Sequence, residues 1–442
     1  MALLLTAVFV VAVVTFIVSR FTSIGWPPTA LGLILVSMCL YPALISQAST
    51  TQVVGIAPTS PEVRTFTLVL FVIGAVALLS GRGGLSWTLF LPFTAWVAIG
   101  MTWQWAGSQN ELSGLLQYAV GIVAWICGAY IGSQISGNPT YERLASLWIG
   151  IVIGIELVVA VLQALGVRIN PMAVYETAIL GGRINGTMNH PNTLGKVLVL
   201  LIVLTLPLLR SRDPITRTVA SASVIGAFVP LALTEGRANF FGALLALILW
   251  TLLTPRRQGH NTTAVVLLSA FGVASVFSWV FVARFEEDQS GGVRSQLNEI
   301  AMAVIPSHWQ FGLGPNSYVS AVGPIWGSWI PVHSTWLLAA AEVGIVGGVA
   351  LLAPYVVGVI QAWMRRGADD ASGDYARSLL ASVPAIILIG TTGWGLLGSV
   401  VWPMWMFMSA YCYGGMKRKP TRSSRVERAQ HESRQQQRSV PR

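Results

Sequence analysis

Pro191-Asn-Thr-Leu-Gly-Lys-Val-Leu-Val-Leu-Leu-Ile-Val-Leu-Thr-Leu-Pro-Leu-Leu209 contains one charged side chain, Lys196, and is followed at once by Arg210, Arg212 and Arg217. About 20 apolar residues in a helix cross the ~30 Å hydrocarbon layer of a bilayer. The stretch therefore reads as a spanning helix. It starts in a polar, glycine-rich segment and stops at arginines. Working outward, the same alternation of long apolar runs and short polar breaks fills the chain. It predicts helices near 2–19, 27–46, 63–80, 85–105, 112–133, 144–165, 191–209, 215–234, 236–254, 262–283, 335–363, 376–397 and 399–415. Hydrophobic residues make up 54% of the 442 and charged residues 10%, whereas soluble domains carry roughly 25% charged residues. The fold class expected is an all-α polytopic membrane protein with about 12–13 transmembrane helices.

The net charge of +10 would suggest nucleic acid in a soluble protein. Here nine of the 27 basic residues lie in Lys417–Arg442 and most others in short loops, which is how membrane topology is written. The tail is placed in the cytoplasm. Alternating backwards puts Arg365, Arg366, Arg377, Arg256, Arg257, Arg210, Arg212, Arg217, Arg143, Arg82 and Arg20 on the same side. The chain is thus placed in the plasma (inner) membrane as a multi-pass protein with its active face outside. Met1–Val18 lacks a basic n-region and a cleavage site and reads as a retained helix. The tail is poor in apolar residues and reads as disordered. It would attract anionic lipid or serve topology alone. Cys39, Cys127 and Cys412 all sit in apolar runs, with no disulfide framework and no zinc spacing.

Arg64, Arg168, Arg183, Arg237, Arg284 and Arg294 fall on the opposite, external face, where arginine is disfavoured. Arg64, Arg168 and Arg284 stand in no pattern, and snorkelling or pairing with nearby glutamates explains them as well as function does. Arg183 lies in Gly181-Gly-Arg-Ile-Asn-Gly-Thr-Met-Asn-His-Pro-Asn192. Glycines admit a ligand close to the backbone, and the helix start at Pro191 leaves N–H groups free for an anion. Asn192 and Lys196 fall in its first turns. The segment is either a phosphate-binding turn or a tight loop capped by asparagine. Arg237 sits in the corner Thr234-Glu-Gly-Arg-Ala-Asn239, either as a Glu–Arg capping pair or as a second phosphate contact, since its fork matches phosphate oxygens. Arg294 opens a segment, Val293 to Ile305, whose apolar spacing suits a helix lying at the interface. It belongs to a loop of about 50 residues, 284–334. His333 opens the next helix and titrates in the range of a general base, though a lone interfacial histidine also serves packing. Glu342 and Glu156 are intramembrane carboxylates, candidates by default. The run Glu286-Glu287-Asp288 could hold magnesium or manganese or be a solvated face.

Four of these stretches, in order, resemble the O-antigen ligase and O-antigen polymerase superfamily. Arg183-Ile-Asn-Gly-Thr-Met-Asn-His-Pro-Asn192 is similar to its Arg-x-x-Gly…Pro-Asn segment. Thr234-Glu-Gly-Arg237 is similar to its Thr-x-Ser-Arg corner, with Gly236 where serine is usual. Arg294 with Gly312-Leu-Gly-Pro-Asn-Ser-Tyr318 resembles its Gly-x-Gly segment. His333-Ser334, nine residues, Gly344, two residues and Gly347 match the spacing of its ligase motif. The resemblance covers about 180–360. It implies a GT-C-like fold and a metal-independent, inverting ligase or polymerase without a cofactor. That enzyme would move a glycan from a polyprenyl (undecaprenyl or decaprenyl) diphosphate carrier to an acceptor hydroxyl. Partners implied are that donor, a glycan, lipid or cell-wall acceptor, and membrane lipids, with no nucleic acid. Carried over, Arg183, Arg237 and Arg294 would hold the diphosphate and His333 would act on the acceptor hydroxyl. Arg183, Arg237 and His333 are thus the catalytic candidates, and Arg294, Asn192, Lys196, Asn316 and Glu342 the substrate-binding ones.

The chain divides into N-terminal helices at 1–165, a ligase-like core at 166–363, C-terminal helices at 364–415 and a tail at 416–442. The alternative is a transporter or flippase of a lipid-linked or anionic substrate, favoured by Glu156 and Glu342 but without the repeats or paired broken helices of transporters. A purely structural membrane partner leaves the patterned arginines without a purpose.

Overall fold

The computed structural model describes residues 25–40, 56–57, 61, 63–80, 84–169, 183–255, 266–268, 270–272, 275, 291–393 and 395–417. The expected helix 2–19, most of 262–283, Glu286-Glu287-Asp288, Arg284 and the tail beyond 417 lie outside these residues. Every regular element described is helical. In chain order these are α1 Trp26–Cys39, α2 Thr65–Leu79, α3 Leu91–Trp103, α4 Gln109–Ile135, α5 Pro139–Ala164, α6 Pro191–Thr205, α7 Pro214–Leu233, α8 Arg237–Leu253, α9 Gly291–Val304, α10 Tyr318–Trp326, α11 Thr335–Arg365, α12 Ala371–Thr392 and α13 Val401–Met416. A 3-10 segment, Leu206–Arg210, continues α6.

Among the described residues six helices are long and apolar enough to cross a membrane: α4, α5, α6 with its continuation, α7, α11 and α12. The chain is a multi-pass membrane protein. α1, α2 and α8 are apolar but shorter. The single helix expected over 85–105 divides instead into a 3-10 segment, Gly84–Phe90, and α3, with Pro92 in the first turn of α3. Proline fixes the backbone for a helix start and removes a donor that a continuing helix would use.

All six long helices begin with a side chain accepting from a first-turn N–H. The caps are Ser108, Asn138, His190, Asp213, Ser334 and Asp370. Unmet donors are costly near hydrocarbon, so the caps define where each span starts. α13 is buried along its length and lies directly on α4. A Cβ on Gly132 would fall 2.0 Å from the Tyr411 carbonyl, and one on Gly414 would fall 2.0 Å from that of Ala129. Small residues permit such backbone approach, the usual source of helix adhesion in lipid.

The ion pairs among the described residues gather at one end of the bundle. Arg210 ion-pairs with Asp374 at 3.1 Å and Asp369 at 3.3 Å. The buried Arg377 donates to Asp374 and to the Arg366 and Ala368 carbonyls. Glu142 accepts from the Ser211 hydroxyl and the Gly137 N–H. The other end gathers the start of α6, the α7–α8 corner, the start of α11 and the α12–α13 link, where the motif residues meet.

Candidate functional site

The arginine turn is strapped from below. Glu156 of α5, fully buried, accepts the Thr187 N–H at 3.0 Å and lies against the Thr187 hydroxyl. That hydroxyl also reaches the Cys39 carbonyl at 2.6 Å. Gln163 brackets Gly186, taking its N–H at 2.8 Å and donating to its carbonyl at 3.0 Å. Gly186 has φ +59, and a Cβ there would lie 2.3 Å from Glu156 Oε2. The turn therefore needs glycine for both conformation and space.

This strap presents Arg183 to the α7–α8 corner. Its Nε donates to the Thr234 carbonyl and its Nη2 to Asn192 Oδ1, both at 2.8 Å. Ile184 N–H reaches the Leu233 carbonyl at 3.4 Å, so the turn runs beside the corner. Glu235 holds the corner's left-handed conformation at φ +53. Arg237 follows at the first position of α8, half-buried. Asn239 Nδ2 points back to the Asn192 carbonyl at 3.5 Å. Asn192 thus braces Arg183 and takes part in joining the two motifs.

Lys196 lies one turn into α6, half-buried. A Cβ on Gly395 would sit 2.5 Å from its Nζ, so the ammonium rests against the α12–α13 link. That link also accepts from Thr335, at the start of α11, through the Gly393 carbonyl at 2.7 Å. Lys196 makes no hydrogen bond or ion pair with any described residue.

Two histidines feel this ammonium. His333, half-buried before the Ser334 cap, is held below the ordinary imidazole value by burial, then by Arg294 and Lys196. His190 is pushed down to about 4 by burial, then by Lys196 and Arg183. Desolvation disfavours the charged imidazole, and neighbouring cations act in the same direction. Among the described residues no carboxylate enters either balance. Lys196 therefore joins two neighbourhoods, Arg183 with His190 and Arg294 with His333, into one cationic site. Arg294 is exposed on α9, so it borders the site from the loop.

Asn316 and Glu342 belong to a second construction. α11 is broken at Gly344, with φ 76 and ψ 167, and the 309–318 loop fills the break. Leu313 and Gly314 N–H groups donate to the Ala341 and Glu342 carbonyls at 2.8 and 2.9 Å, and Ile345 N–H to the Trp309 carbonyl at 2.8 Å. The fully buried Glu342 carboxylate receives the Tyr118 hydroxyl at 3.3 Å. Asn316, with φ +57, accepts the Ala57 N–H at 3.1 Å. The glycine motifs at 312–314 and 344 are thus two halves of one clasp. Arg64, one of the arginines without a motif, donates to Ser399 at 2.7 Å.

The structure brings together Arg183, Asn192, Lys196, Arg294 and His333, with Arg237 on the adjoining corner. His190 was passed over in the sequence because a polar residue before Pro191 reads as an ordinary cap. Its place within the arginine segment was the available signal. Among the described residues no group of three or more His, Cys, Asp and Glu is assembled for a metal.

Residues 221–352 match the family model described as O-antigen ligase. The match supports the O-antigen ligase and polymerase superfamily. It includes Arg237, Arg294, Asn316, His333 and Glu342, and begins downstream of the Arg183 turn. No curated protein matches the chain.

Proposed function

We propose that this membrane protein, with an O-antigen ligase segment at 221–352, transfers a glycan from a polyprenyl diphosphate carrier to an acceptor hydroxyl outside the cytoplasm. One observation carries the reading: Lys196 acts on both His190 and His333, together with Arg183 at the first and Arg294 at the second, and among the described residues no carboxylate enters either balance. Gathering like charges partly out of water is costly. A diphosphate would relieve that cost, and its developing charge in the transition state would be met by preorganised cations.

In the reaction, the acceptor oxygen attacks the anomeric carbon from the face opposite the diphosphate, forming the new glycosidic bond as the old C–O bond breaks. The configuration inverts. Arg183, Lys196, Arg237 and Arg294 take the departing diphosphate's charge, which makes a metal unnecessary. His333, biased towards its neutral form by burial and the nearby cations, accepts the acceptor's proton. The basic, cytoplasmic end and the external site follow the arginine distribution.

The test is glycan transfer by purified protein. Arg183→Ala, Arg237→Ala and His333→Ala should each lower the rate by about 100-fold or more while still accumulating in the membrane. Full activity of the double variant Arg183→Ala/Arg237→Ala would sink the diphosphate role. Excess chelator should leave the rate unchanged. Loss under EDTA restored by manganese would shift the reading to Glu286, Glu287 and Asp288. A deletion strain separates two acceptor classes: full-length carrier-linked polymer accumulates for a ligase, single repeat units for a polymerase. The transporter reading drew on Glu156 and Glu342, and the loops those carboxylates hold account for them.

A further inference from the structure

We propose that His190 is a neutral hydrogen-bond donor to the same diphosphate, offering its Nε2–H beside Arg183 and Lys196. This rests on the diphosphate reading above. The Asn192 N–H donates to His190 Nδ1 at 3.0 Å. An imidazole nitrogen that accepts carries no proton, so the ring's single proton is on Nε2. Protonating Nδ1 would set two N–H groups against each other and break the cap of α6. The helix start itself therefore holds the ring neutral and fixes its tautomer.

The surroundings agree. Arg183 from the turn and Lys196 from α6 both disfavour a further charge at this position. Nε2 has no partner among the described residues, and the ring is half-buried. A donor without charge adds a hydrogen bond to an anion without adding repulsion between the cations that hold it. The cap and the donor use opposite nitrogens, so the two roles can be separated by substitution.

His190→Asn places an acceptor where Nδ1 stands, and asparagine is a favoured cap, but nothing reaches the Nε2 position. His190→Gln reaches that position with an amide donor and is a poor cap. The probe is farnesyl diphosphate, titrated calorimetrically into the purified full chain, with inorganic diphosphate in parallel and thermal unfolding of each unliganded variant. The expected result is a crossed pair. His190→Asn keeps the unfolding temperature and binds both probes roughly tenfold or more weakly, the loss typical of one hydrogen bond to a charged group. His190→Gln unfolds at lower temperature and binds within about threefold of the parent on the same scale. Parent-like binding by His190→Asn overturns the proposal, as does a loss confined to farnesyl diphosphate. If the parent chain binds neither probe, or Arg183→Ala binds both as the parent does, the diphosphate reading itself fails and takes this inference with it.

Discussion

Asn192 Oδ1 holds the Arg183 guanidinium at 2.8 Å, so this asparagine acts on a ligand through the arginine. Asn192→Asp would give Arg183 a full counter-charge within the site. The expected outcome is a raised KM for the lipid-linked donor by about tenfold, since roughly 1.4 kcal/mol corresponds to that factor, with accumulation in the membrane unchanged. The histidines set a pH dependence. The unfolded chain takes up protons near the ordinary imidazole value of ~6.5, whereas folded His190 does so only at about 4. Between these values the unfolded state binds more protons, so this contribution makes stability rise with pH and level off above ~6.5. The unfolding temperature in detergent should fall between pH 6.5 and 4.5, and less so in His190→Asn. The sequence exposed Arg183, Arg237 and His333 because charge on the disfavoured face is visible in one dimension. It concealed the work of Glu342, whose partner Tyr118 is 224 residues away.

The helix break at Gly344 is the element on which the loop depends. A Cβ there would fall 1.7 Å from the Gln310 carbonyl, and the residue has φ +76. Gly344→Ala should destabilise the fold by roughly 3 kcal/mol or more, seen as loss of the monodisperse peak in detergent. Gly348→Ala is the control: its Cβ would meet Ala339 at 3.6 Å, an ordinary contact, and alanine favours helix by up to ~1 kcal/mol. The other strap makes a parallel case. Glu156→Ala leaves the Thr187 N–H without its acceptor, at a cost of about 1–3 kcal/mol, and should weaken donor binding as the Arg183 turn loosens. The long spans were legible because apolar length alone reports them. The break was not, because Gly344 sits inside an apolar run and the hydrogen bonds that replace the helix ladder come from a distant loop.

Across the whole molecule, the two ends differ in kind. One is tied by Arg210, Arg377, Asp374 and Glu142, the other by strapped turns around Arg183 and Lys196. The three cysteines are buried, so the native chain should give little background with a membrane-impermeant maleimide. Ser320 on α10 and Gly367 after α11 are both exposed. In right-side-out vesicles Ser320→Cys should label directly and Gly367→Cys only after permeabilisation; the reverse pattern would invert the charge-based orientation. The alternation of ends was readable from arginines alone, while the apposition of α13 and α4 depended on glycine contacts that no period announces. The broken helix also measures depth. From Ile345 to Arg365 the continuous part rises ~31 Å at 1.5 Å per residue, which already equals the hydrocarbon thickness of ~30 Å. With Arg365 set at one hydrocarbon boundary, Thr335–Val343 would extend past the other, and His333 before it would stand among the phosphate headgroups. A carrier lipid could react there with its isoprenoid tail still dissolved in the membrane, so no work of extraction would stand between binding and transfer.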